Sequence, residues 1–334
     1  MTMKNFKTFA WIFALAMIFA SCSKLNNNIS CGNSSEMLCV TQNDEQWNGI
    51  IGDTVRKYLG RPQYGLPQPE SCFDVRHVNR SDFSDIFQKF RNILIVEIDK
   101  TISEPIIETQ EDWKAKPQIV VKIRAKDHVS WVEAFGKNKE RIKKYFDEKE
   151  RERYIEFYES TANIEAMNAV KKAFGFNMLI PEDYIICVNK DNYIGLKKTI
   201  TDGADNFMEL FIYQLPYLSE TDLDDATIMR RCDSITEKYF ETGIEGGFIG
   251  LQRQYAPPVF TTIPNFAGGY YAKEMRGMWR VYNGEIKAGP CLSYTVISPD
   301  REKIIYVEGF IYYPNHNKRD LLRQLEAFMW SLEF

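Results

Sequence analysis

The chain has 334 residues, with 42 Lys and Arg against 46 Asp and Glu, for a formal net charge of −4. Hydrophobic residues make up 44% and charged residues 26%, an ordinary globular composition with length for about two domains of roughly 150 residues. The acidic balance argues against a nucleic-acid partner, which calls for a basic face over the phosphates.

The N-terminus carries Lys4 and Lys7 ahead of a twelve-residue apolar run, Phe9–Ala20. A helix needs about 20 apolar residues to cross roughly 30 Å of hydrocarbon, so this run reads as a cleaved signal and not as a membrane span. The junction Phe19-Ala20-Ser21-Cys22 resembles the lipobox of bacterial lipoproteins. That resemblance implies removal of residues 1–21, a diacylglycerol on the Cys22 thiol and acylation of its new amine by a chain such as palmitate. Two or three acyl chains hold a protein on a membrane stably, whereas one holds it weakly. Residues 22–45 are rich in Asn and Ser and read as a flexible tether. The residues directly after Cys22 are not acidic, which points to a periplasm-facing location at the outer membrane. The expected partners are the membrane, through the anchor, and an envelope protein, glycan or lipid.

Six further cysteines follow in an oxidising compartment that permits disulfides. Cys31 and Cys39 flank a short polar loop and form a candidate bridge; Cys39 with Cys72 is the alternative. Cys187, Cys232 and Cys291 read as small buried hydrophobes.

From residue 46 the expected order is a short helix over 48–59, a proline-rich loop over 61–71, and a strand over 73–78. A helix over 82–90 follows, with Phe83, Ile86, Phe87 and Phe90 on one face. Ile93–Ile98 and Ile119–Ile123 are apolar runs that suit buried strands, with loop or turn between them. A long helical stretch over 127–174 contains 15 charged residues within 137–159, read as a solvated face with paired charges rather than a binding arm. A second helix begins near Asn163 and ends at Gly175. The second half alternates strands with single helices: a helix over 224–240, a long loop with Pro257, Pro258 and Pro264, three strands joined by Asn283-Gly284 and Pro299-Asp300, and a terminal helix. Leu321, Leu322, Leu325, Phe328, Met329 and Leu332 give that helix one apolar face to lay on a sheet. The fold class is therefore α+β with largely antiparallel sheets: an N-terminal domain over 46–174 with long charged helices, and a C-terminal domain over 175–334. The order of elements in the second half is similar to a PsbP-like α/β/α sandwich.

Several segments resemble an uncharacterised family of Bacteroidetes-type lipoproteins catalogued as a domain of unknown function. They are 65–71 (GLPQPES), 90–99 (FRNILIVEID), 174–184 (FGFNMLIPEDY), 276–281 (RGMWRV), 308–314 (EGFIYYP) and 318–327 (KRDLLRQLEA). The resemblance implies a lipoprotein of this size and assigns no activity.

No GxSxG, P-loop, HExxH or EF-hand pattern occurs, and His77, His128 and His316 lie far apart in sequence. No cofactor or metal site is expected, and Asp222, Asp224 and Asp225 read as a helix start. The best remaining constellation is Arg276, Trp279, Glu308 and Arg319. Arg forks match carboxylates and phosphates, so an anionic ligand site is one reading. The favoured reading is a structural pair such as Arg319 with Glu308, because a cation at a helix start opposes the dipole. The chain reads as a binding or structural module of the envelope, with a hydrolase-like envelope enzyme as the alternative.

Overall fold

Two β-sheets organise the chain in a computed structural model that describes residues 28–190, 192–200, 206–240, 242 and 245–334. The expected signal 1–21 and Cys22 lie outside the described residues. Among the described residues no helix is long and apolar enough to cross a membrane. The fold is α+β with largely antiparallel sheets, as expected.

The smaller sheet is the exception within that class. It has the order β2-β1-β3-β5-β4, built from β1 (Glu36–Thr41), β2 (Asp74–Asn79), β3 (Asn92–Ile98), β4 (Ile106–Glu111) and β5 (Ile119–Ala125). Its pairs β1–β2, β1–β3 and β3–β5 are parallel, and only β4 runs antiparallel, at the edge. Parallel neighbours need a crossover of about a dozen residues or more. Helices α1 (Asp44–Asn48) and α2 (Ile50–Tyr58) supply it between β1 and β2. The expected tether over 22–45 is corrected here: its second half is β1, with Met37, Cys39 and Val40 fully buried. Upstream, Ile29 and Cys31 bridge to Lys116 and Phe90. Polar composition masked a strand only six residues long. Likewise β4 lies in the stretch read as a loop, because as an edge strand its sequence IIETQE is mostly exposed. The expected 82–90 helix shrinks to α3 (Asp85–Gln88), with Ile86 and Phe87 exposed.

Helix α4 (His128–Glu159) runs 32 residues, about 48 Å at 1.5 Å per residue. Asp127 and Ser130 form a capping box at its start. Its first 19 residues press Trp131, Phe135, Ile142 and Phe146 onto the smaller sheet together with Ile51 and Val55 of α2. Its charged second half is not simply solvated: Glu150 is fully buried, and accepts from Arg153 (2.7 Å), Asn92 (2.7 Å) and Arg91 (3.1 Å).

Helix α5 (Ile164–Phe174) ends at Gly175 in the left-handed region, as the glycine implied. Its Ala166, Val170 and Phe174 join the core of the second half. The boundary between halves is therefore the break at 160–163 and not residue 174.

The larger sheet runs β10-β11-β12-β13-β8-β7-β6, all antiparallel, with β9 also on β11. Its strands are β6 (Ile185–Lys190), β7 (Tyr193–Thr199), β8 (Phe207–Pro216), β9 (Phe248–Leu251), β10 (Val259–Phe266), β11 (Tyr270–Tyr282), β12 (Ala288–Ile297) and β13 (Lys303–Tyr312). Helices α5 and α7 (Arg319–Trp330) cover one face, and α6 (Asp225–Tyr239) covers the other. This is a three-layer α/β/α arrangement.

The cysteine readings need two corrections. All six described cysteines are free. Cys31 stays at the sheet margin, its thiol donating to the Ile86 carbonyl, while β1 carries Cys39 into the core beneath α2. Burial pushes the Cys39 thiol up to about 12. Cys187 is exposed, because β6 is an edge strand with a register shift between Ile186 and Val188.

Candidate functional site

A cleft of about 540 Å³ opens between the two halves. Its walls are the proline-rich loop with Arg61 and Tyr64, one face of α4, the strands β10 and β11, and one face of α7. Helical spacing aims the charges inward. On α4, Glu140, Lys143, Lys144, Asp147 and Arg151 share a face, and on α7 so do Arg319, Arg323, Glu326 and Trp330.

Glu326 is the hub. Its carboxylate accepts from Arg151 (2.8 Å) and from Arg276 (2.7 Å), one oxygen to each. Arg276 also grips Glu274 with two bonds, of 2.7 and 2.9 Å. Tyr294 donates to Glu274 (2.6 Å), and Trp330 Nε1 donates to the Tyr294 hydroxyl (3.0 Å). The Arg151 guanidinium stacks 4.1 Å over the Trp330 ring. Alongside, Arg323 donates to Asp147 (3.1 Å) and to the Cys72 carbonyl (2.9 Å), while Lys143 holds the other Asp147 oxygen (2.5 Å). Burial alone would push Glu326 and Asp147 up. The neighbouring cations outweigh it: Arg276, Arg151 and Arg323 hold Glu326 far below its usual range, and Lys143 and Arg323 hold Asp147 down.

The predicted constellation divides between the two faces of the larger sheet. Arg276 and Arg319 line the cleft. Trp279 is buried beneath α6 on the opposite face, its Nε1 donating to the Ile311 carbonyl (3.1 Å). Strand alternation explains this, since residues three apart on β11 point to opposite faces. Glu308 is also on the α6 side, fully buried, accepting from the Tyr213 hydroxyl (2.9 Å). The expected Arg319–Glu308 pair does not form. Arg319 pairs instead with Asp74 (2.9 Å) and Asp320 (3.0 Å) and donates to the Ser71 carbonyl (3.0 Å). The helix start has its own anion: Glu70 accepts from the backbone N–H groups of Lys318 (2.8 Å) and Arg319 (2.9 Å). Arg151, Arg323 and Glu326 were missed by sequence reasoning. The signal for them was present as charged stripes at helical spacing, on α4 and beside the apolar face of α7.

The histidines stay apart. His77 stacks on Trp47 (4.6 Å) and bonds Thr41, and His316 stacks on Tyr313 (4.1 Å). Asp222 accepts from the Leu218 and Ser219 N–H groups and pairs with Arg231.

This architecture is a two-unit α+β protein whose halves share one charged cleft. Residues 163–331, just over half of the chain, match the model of a domain of unknown function, DUF4837, and the chain belongs to that family. Residues 30–159 match a second model, DUF8532, also a domain of unknown function. The gap between the matches falls at the break between α4 and α5. No curated protein matches the chain in sequence. Among solved structures, LpqN, involved in cell envelope biogenesis of Mycobacterium tuberculosis, is 13% identical over 47% of this chain and 82% of its own, with a TM-score of 0.27. The lipid transfer and protein localization domain of human StarD13 is 13% identical over 44% of this chain and 88% of its own, with a TM-score of 0.23. Human STARD10 is 7% identical over 49% and 79%, with a TM-score of 0.23. Likenesses this slight carry no argument about function.

Proposed function

We propose that this chain is a lipid-anchored binding module of the bacterial cell envelope, held through Cys22 at the outer membrane and facing the periplasm. The cleft between its halves is the binding site. The observation that carries the reading is that both halves contribute side chains to one hollow of about 540 Å³. That volume lies within the range of roughly 300–1,000 Å³ typical of small-molecule sites. The lipobox supports the anchor, and residues 23–28 lie between Cys22 and the first sheet bridge of the folded body at Ile29.

The test is a photo-crosslinking residue placed in living cells at Ile263, which lines the cleft, with Ile286 on the distant surface as control. A defined adduct with an envelope component from Ile263 alone is expected. Equal adducts from both positions, or none from Ile263, would refute the cleft as a binding site.

A further inference from the structure

Resting on the cleft as the binding site, we infer that its ligand is a small organic molecule bearing an oxyanion, either a carboxylate or a phosphate. The whole chain is acidic, with a net charge of −4. The cleft reverses that sign, bringing seven Lys and Arg side chains together with four carboxylates.

The carboxylates are already engaged within the chain. Asp147 is held by Lys143 and Arg323, Glu274 by Arg276 and Tyr294, and Glu326 by Arg151 and Arg276. Only Glu140 is loosely paired, at 3.9 Å from Arg61. A guanidinium carries five N–H donors on three nitrogens. Arg151 spends only Nη1, and Arg276 spends Nε and Nη2. Among the described residues no bond reaches Arg151 Nη2 or Arg276 Nη1, and neither nitrogen is shut off from solvent as a buried orphan. Both forks grip the same Glu326 carboxylate, and the Arg151 guanidinium also stacks on the Trp330 ring. They are therefore fixed before any ligand arrives, which spares the ordering cost of a flexible side chain. Arg61 and Lys144, on the loop and on α4, are exposed and add mobile positive charge at the rim. Fixed forks with spare donors behind a cationic rim match the two oxygens of a carboxylate or the several oxygens of a phosphate.

The test is titration calorimetry on the full chain with three probes: inorganic phosphate, glucuronate and glucose. Saturable binding of phosphate or of glucuronate is expected, and whichever binds more tightly identifies the oxyanion. The double variant Arg61→Ala/Lys144→Ala should weaken that binding at least tenfold with an unchanged melting temperature, because both side chains make only loose surface pairs. The remote exposed pair Lys171→Ala/Lys172→Ala should bind as wild type. No saturable binding of either anion overturns the inference. An equal loss in the Lys171/Lys172 variant also overturns it, by showing a general charge effect. Glucose binding as tightly as glucuronate overturns the oxyanion while leaving the cleft a ligand site; the cleft itself falls only if crosslinking from Ile263 fails as well.

Discussion

Glu308 sits wholly inside the second half, with Tyr213 on one oxygen and no bond of ordinary geometry to the other, beside the Cys232 thiol. Burial pushes its carboxyl up to about 7. Glu209, on the same sheet face, is likewise pushed up to about 7 by burial, even with Lys197 at 3.3 Å. A raised carboxyl binds its proton more tightly in the folded state than in the unfolded one. Its stabilising contribution is therefore whole below about 4.5, its unfolded value, and is lost as pH rises through about 7. Glu308→Gln should remove its share of that loss. Between pH 4.5 and 8, wild type should lose roughly 3 kcal/mol more stability than the variant. Parallel pH–stability curves from urea melts would refute this. Arg319 makes a second prediction at this scale. It is 8% exposed and ties α7 to Asp74 and to the Ser71 carbonyl in the first half. Arg319→Ala should cost about 1–3 kcal/mol. A thermal melt that overlays wild type would show that these bonds contribute nothing.

Helix α7 shows how an element serves two purposes through two faces. Its apolar stripe of Leu322, Leu325, Phe328 and Met329 is buried against the larger sheet. The approach is close because Gly309 of β13 lies below it: a Cβ there would come within 2.8 Å of Leu325 Cδ1. Its second stripe, Arg319, Arg323, Glu326 and Trp330, faces the cleft. Leu325→Asp would put an unpaired carboxylate at a fully buried position, at a cost of several kcal/mol against a total stability of about 5–15 kcal/mol. The variant should be insoluble or rapidly proteolysed. Wild-type melting would show that this face is not packed as described. Helix α4 works similarly, apolar toward the smaller sheet along its first 19 residues and charged toward α7 further on. Because Arg151, Asp147 and Tyr158 meet Glu326, Arg323 and Gln324 across the two halves, α4 couples them through side chains and not only through the chain.

At the scale of the molecule, the proposed anchoring rests on the lipobox at Cys22. Cys22→Ser should abolish acyl labelling and leave the chain either uncleaved or released from the membrane fraction. A variant that is still acyl-labelled and sediments with membranes would reject the lipobox reading.

Local pattern was enough to read most elements of the second half. Asp225–Tyr239, the Asn283-Gly284 turn and the apolar stripe of the last helix are set by residues a few positions apart, and helical or strand period exposes them directly. The α+β class follows from that order of elements. What only the tertiary structure decided are pairings across long stretches of chain. β1 becomes a central strand because β2 and β3 flank it. α5 belongs to the second core because its Ala166, Val170 and Phe174 share one buried cluster with Met178, Leu210 and Phe328. Glu70 caps a helix 248 residues away, and Arg319 reaches Asp74 across 245. Of the four residues in the candidate constellation, Arg276 and Arg319 line the cleft, whereas Trp279 and Glu308 belong to the far face of the sheet. Periodicity states which residues share a face; it does not state which other element that face will meet, because that is settled by burial and charge pairing summed over the whole chain.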